Sequence, residues 1–145
     1  MSHVCKLDVE IKDLQSLRKA AQQLGLYFRE QSTYRWYGKS IGDYPLPEGF
    51  SEEELGKCNY AIGVPDSDTA YEVGVALKNG KVHLLWDFWQ KGYGLQDAIG
   101  ENGSKLKQEY AIAAATKEMI RKGFRVSRTV NQETGKPRIV ARRMS

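Results

Sequence analysis

Residues 84–126 read LLWDFWQKGYGLQDAIGENGSKLKQEYAIAAATKEMIRKGFRV: the end of an apolar strand, a loop, the longest helix of the chain and the start of the next strand. Asn102-Gly103 break the chain, and Ser104 is a side chain that caps the first free amides of a helix. Gly123 supplies a left-handed stop after Lys122, so the spacing predicts a helix over 105–122. At 100° per residue Leu106, Tyr110, Ala113 and Ile120 fall on one stripe, widened by Ile112 and Met119. Lys107, Glu118, Arg121 and Lys122 lie away from it. A helix with one apolar stripe and one charged face lies across a sheet, and the rest of the chain is read outward from that requirement.

Upstream, Cys5, Leu7, Val9 and Ile11 alternate with Lys6, Asp8, Glu10 and Lys12, the period of a strand with one buried face. Asp13 then caps a helix over 14–24, with Leu14, Leu17, Ala21 and Leu24 at helical spacing and Gly25 as the stop. Residues 26–28 and 33–37 are short, aromatic and β-prone, and read as strands. Residues 39–57, with Gly42, Pro45, Pro47, Gly49 and the acidic Glu52-Glu53-Glu54, read as a loop-like insert with one helical turn after Ser51, a candidate lid. A strand over 60–64 follows. Tyr71, Val73, Val75 and Leu77 alternate into Asn79-Gly80, a strong hairpin signal, and Val82, Leu84 and Trp86 alternate out of it. After the long helix, residues 124–130 and 137–142 flank a turn over 131–135.

The order is β-α-β-β-loop-β-β-β-α-β-β. This predicts an α+β fold, a two-layer sandwich with a mostly antiparallel sheet and two helices on one face. The expected core is Leu7, Val9, Ile11, Leu17, Ala21, Leu24, Val73, Val75, Leu84, Trp86, Leu106, Tyr110, Ala113, Ile120, Val126 and Ile139. At 145 residues, with 41% hydrophobic and 28% charged side chains, the chain is expected to form one domain over 1–145 and is far from a disordered composition. Two cysteines without CxxC spacing, and no apolar run of signal-peptide or membrane-spanning length, lead to the expectation of a soluble protein in a reducing compartment, with no membrane partner.

Chemistry is harder to find. There is no GxxxxGK[ST] loop, GxSxG elbow, HExxH or strand-borne GxGxxG, and the two histidines, His3 and His83, have no carboxylate at metal-ligand spacing. No catalytic residue, metal site or cofactor is expected. Cys5 and Cys58 read first as small core residues, and Asp66 and Asp68 as turn residues. Asp87 is different, because a charge among Leu85, Trp86, Phe88 and Trp89 needs a partner; it reads as an anchor for the loop that leads to the helix.

Two features point to an anionic ligand. Between residues 121 and 143 eight basic side chains face a single acid, Glu133, which leaves the remainder net −3 of the overall +4. Residues 34–39 (Tyr34-Arg35-Trp36-Tyr37-Gly38-Lys39) interleave rings with cations, a composition that stacks on bases and neutralises phosphates. The candidate ligand-binding residues are therefore Tyr34, Arg35, Trp36, Arg125, Arg128, Arg138 and Arg142, for a nucleotide or single-stranded nucleic acid. The plainer readings are core aromatics and a solvated basic face. Strand parity divides the arginines, since Arg128 shares a face with Phe124 and Val126 while Arg125 points the other way.

The opening Met1-Ser2-His3 with its alternating strand and Asp13-Leu14, Tyr37-Gly38 after Arg35, Asp87-x-Trp89, Leu106-Lys107-Gln108-Glu109-Tyr110-Ala111, and Gly123-Phe124-Arg125-Val126 with Arg138-Ile139-Val140 carry a resemblance. Together they resemble a small uncharacterised plastid and cyanobacterial family, hypothetical chloroplast reading frame thirty-five, which has bacterial and bacteriophage relatives. The likeness runs through most of the chain and is weakest over 39–64. It brings no activity, cofactor or site residue. It implies a non-enzymatic accessory protein with a protein partner, such as an ATPase or a host protein, working in a plastid stroma or a host cytoplasm.

Overall fold

The computed structural model describes residues 3–38 and 44–144. Five strands, β1 (Val4–Lys6), β2 (Tyr27–Glu30), β3 (Tyr60–Gly63), β4 (Val73–Lys78) and β5 (Lys81–Asp87), form one antiparallel sheet in the order β1-β5-β4-β3-β2. The helices are α1 (Leu14–Gln23), α2 (Leu95–Ile99) and α3 (Ser104–Arg121), and the chain closes with β6 (Phe124–Val130) and β7 (Pro137–Arg143), a separate two-stranded ribbon. The architecture is the α+β sandwich that the sequence leads one to expect, with a mostly antiparallel sheet and the helices on one face.

Local chemistry explains most boundaries. Asp13 is extended and its carboxylate accepts from the Gln15 amide, capping α1. Asn79 and Gly80 take φ of 54° and 74°, the two left-handed positions that a tight hairpin between β4 and β5 demands. α1 carries the chain from β1 at one edge of the sheet to β2 at the other. Leu17, Ala20 and Ala21 of α1, Leu95 and Ile99 of α2, and Leu106 and Tyr110 of α3 meet Leu7, Ile62, Val73, Val75, Leu84 and Trp86 in the main core.

The second face of the sheet is covered as well. Val4, Ala61, Ala76 and Leu85 point away from the helices and are covered by Tyr34, Phe50 and Leu55. The described part of the 39–57 stretch is thus packed down, its turn Glu52–Glu54 closed by the Ser51 amide donating to Glu54 (2.9 Å) and tied by Lys78 to the same carboxylate (2.8 Å). Residues 39–43 lie outside the described residues.

Several expectations change. Residues 33–37 form no strand beyond one bridge between Thr33 and Lys57, because their amides go elsewhere: Arg35 N–H donates to the Glu72 carboxylate (2.8 Å) and Tyr37 N–H to that of Asp87 (3.0 Å). The first strand is shorter than its alternation implied. After Leu7 it bows away from β5 and touches it again only at Ile11 opposite Val82. Ser104 does not cap α3; it lies inside the helix, and Gly103 at φ 70° stands at the cap. α2 lies within the stretch expected to be loop. The chain reaches it through Gln90, Lys91, Gly92 and Tyr93, four successive residues with φ between 51° and 67°, a full left-handed turn. Of the expected core, Ile120 is 58% exposed, and Ala113, Val126 and Ile139 are only half-buried.

Asp87 sits at the meeting of these elements with no exposed surface. Its carboxylate accepts the amides of His3 (2.8 Å), Trp89 (3.0 Å) and Tyr37 (3.0 Å). Replacing Asp87 by alanine strands three backbone donors, each costing about 1–3 kcal/mol when buried and unsatisfied, so a loss of at least about 3 kcal/mol is expected in denaturant unfolding. Asp87→Asn keeps one acceptor oxygen and should fall between the two; an unchanged midpoint in the alanine variant would refute the anchoring role.

Candidate binding surface

The aromatic-basic segment of residues 34–37 is fixed against the second face of the sheet. Tyr34 is 2% exposed, and its ring packs against Gly74, where a Cβ would come within 2.2 Å of it. Trp36 is half-buried and lies over Gly56, whose φ of +84° only glycine adopts readily. The Arg35 guanidinium donates to the carbonyls of Ala70 (2.6 Å) and Ser67 (3.5 Å). Glu72, itself buried, also accepts from the Tyr27 hydroxyl and from Gln31. Burial and that carboxylate push the Tyr27 phenol up to about 12. Lys39 lies outside the described residues.

The other candidate residues are on the far side of the molecule. From Gly123 the chain turns back, and β6 and β7 run along the second half of α3. Register puts Phe124, Val126, Arg128 and Val130 on the same face as Arg143, Ala141, Ile139 and Pro137, and this face turns towards α3. Arg125, Ser127 and Thr129 share the outer face with Arg142, Val140 and Arg138. The ribbon thus brings Arg125, Arg138 and Arg142 together, sets Arg128 on the opposite side, and keeps all four apart from Tyr34, Arg35 and Trp36, which the sheet separates from the helices.

Between α3 and the inner face of the ribbon lies an open groove of about 420 Å³, lined by Ile112, Ala113, Ile120, Val126 and Ile139. It exists because the apolar stripe of α3 runs on past the buried part of the helix. Tyr110 is the last buried member, its hydroxyl accepting the amides of Lys12 (2.8 Å) and Asp13 (3.2 Å), and after it Ile112, Ala113 and Met119 are half-buried and Ile120 is exposed. Within the groove Arg128 makes a two-pronged pair with Glu109 (2.9 and 2.7 Å), which raises its already high pKa. Lys117 closes one end on Asp13 (2.9 Å). Sequence periodicity located this stripe but assigned it to the core; the surplus of apolar residues on α3 beyond the length of the sheet was the available signal.

Among the described residues no group of three histidines, cysteines or carboxylates could hold a metal ion. Burial pushes both thiols, Cys5 and Cys58, up to about 11, so they are protonated at neutral pH and poor nucleophiles. No helix among the described residues is long and apolar enough to cross a membrane.

The model of a family described as "Protein of unknown function (DUF1257)" matches residues 48–140. Uncharacterized protein ycf35 of Pyropia yezoensis is 24% identical over 145 residues, covering 99% of this chain and 98% of that protein. No solved structure matches.

Arg128→Ala leaves the buried Glu109 carboxylate without its partner and should cost about 1–3 kcal/mol in denaturant unfolding. Replacing both residues by leucine should recover most of that loss, because no charge is then left unpaired. A double variant as unstable as the single one would show that the pair acts through its shape and not its charge.

Proposed function

Because the chain belongs to this DUF1257 family of proteins of unknown function, which assigns no reaction, we propose that it acts by binding: it is a non-enzymatic accessory protein whose groove between α3 and the ribbon receives an amphipathic segment of a partner protein. The observation that carries this reading is the groove itself. Ile120 is 58% exposed beside Ile112, Ala113, Val126 and Ile139, and covering such side chains gains about 25 cal/mol per Å² of apolar surface. A partner helix presenting apolar residues at i, i+3, i+4 and i+7 matches a long trough of this kind.

The charges around the groove select the partner's flanks. Lys19, Lys117 and Arg128 line it against one acid, Glu109, and Lys19 makes no ion pair among the described residues. Acidic residues beside the apolar stripe of the partner fit that surplus. The buried carboxylates among the described residues support binding over catalysis, since Asp87, Glu72 and Glu109 are all engaged by donors of the chain's own backbone and side chains.

Immobilised wild-type protein should retain a discrete partner from native extract. Ile120→Glu and Val126→Glu place a charge in the groove and should weaken that partner's affinity at least tenfold with an unchanged melting temperature. Equal retention by wild type and both variants would overturn the groove reading.

A further inference from the structure

We propose that the outer face of the β6–β7 ribbon is a phosphate-binding surface for duplex DNA. Arg125 stands directly opposite Arg142 in the ladder and Arg138 opposite Thr129, so three guanidiniums share one face with Ser127, Thr129 and Val140. All three arginines are exposed, no acid lies on that face, and none of them makes an ion pair among the described residues. The other arginine of β6, Arg128, is turned to the inner face and neutralised by Glu109. Like charges directly opposite one another destabilise a strand pair, and among the described residues no acid compensates this pair. An external anion relieves the repulsion.

The pattern of the face decides which anion. Along β7 Arg138 and Arg142 are four residues apart, about 13 Å, while Arg125 and Arg142 are about 5 Å apart across the ladder, so the charges form a lattice and not a single pocket. Guanidiniums with hydroxyls between them suit phosphate oxygens, which arginine holds with two donors at once. The Arg138 Nε is fixed by the Thr129 hydroxyl (3.1 Å), which leaves its terminal nitrogens to reach outward. No aromatic ring lies on this face, so it lacks the stacking platform that single strands use. It also lacks the large apolar residues with which a helix or loop enters a lipid surface. A two-stranded ribbon standing off the main sheet fits the major groove of B-form DNA, about 12 Å wide, whereas the major groove of A-form RNA is too narrow.

This surface is opposite the groove and is tested separately from it. Anisotropy of a labelled duplex of about two helical turns, titrated with the full chain, should show affinity falling with salt at a log-log slope of about −3, or roughly 60-fold between about 50 and 200 mM. Each of Arg125→Ala, Arg138→Ala and Arg142→Ala should flatten the slope by about 1, and the triple variant should lose binding while its circular dichroism and melting temperature are retained. Ile120→Glu should bind DNA as the wild type does. A triple variant that binds like wild type, a slope near zero, or capture by phosphatidylglycerol vesicles without duplex binding would each overturn the proposal.

Discussion

The buried carboxylate of Asp87 is the constraint on which the rest of the fold depends. Removing an ionised carboxylate from water is costly unless its oxygens are satisfied, and here three charge-assisted hydrogen bonds from backbone amides offset that cost. The three donors come from the N-terminal strand, from residues 34–38 and from the turn after β5. His3 is held further by its ring against Phe88 and Trp89, and Phe88 N–H returns a bond to the His3 carbonyl. One side chain thereby fixes the edge strand, the cover of the second sheet face and the approach to the helices. Glu72 repeats the device on Arg35, and between the two carboxylates residues 35–37 are held in place without becoming a strand.

From this clamp the chain must reverse before α2, and it does so through the left-handed turn of Gln90, Lys91, Gly92 and Tyr93. Left-handed geometry costs about 1–2 kcal/mol for each residue with a Cβ. The turn is stapled by the Lys91 amide to the Phe88 carbonyl and by the Tyr71 amide to the Gly92 carbonyl. Its outcome is the placement of α3: the first half lies on the sheet, while the second half overhangs it and meets the ribbon. The groove and the arginine face are two sides of that overhang. The body of the molecule supports it, and the overhang carries the binding proposed here.

Much of the body was legible in the sequence because its signals are local. Asp13 and Gly25 bracket α1, Asn79-Gly80 sets the β4–β5 register, and alternation marks Val73, Val75, Leu84 and Trp86 as core. Asp87 was legible as a charge requiring partners, but two of its three donors lie 84 and 50 residues away in the chain, and no periodicity records them. Residues 33–37 have strand-like composition and lack only a ladder partner, a non-local fact. The same limit applies to the candidate surfaces. Parity separates Arg128 from Arg125, yet whether Ile120 and Val126 are covered depends on how far the sheet extends beneath α3.

A clamped body carries a ribbon that the described residues cover only in part. Isolated two-stranded ribbons are marginal, and opening free energies differ across a structure according to local burial. Native-state hydrogen exchange measures this residue by residue. Amides of β6 and β7 should exchange by local opening at least tenfold faster than those of Tyr37 and Trp89, which should exchange only with global unfolding. Protection of the ribbon equal to that of the Asp87-bound amides would contradict it.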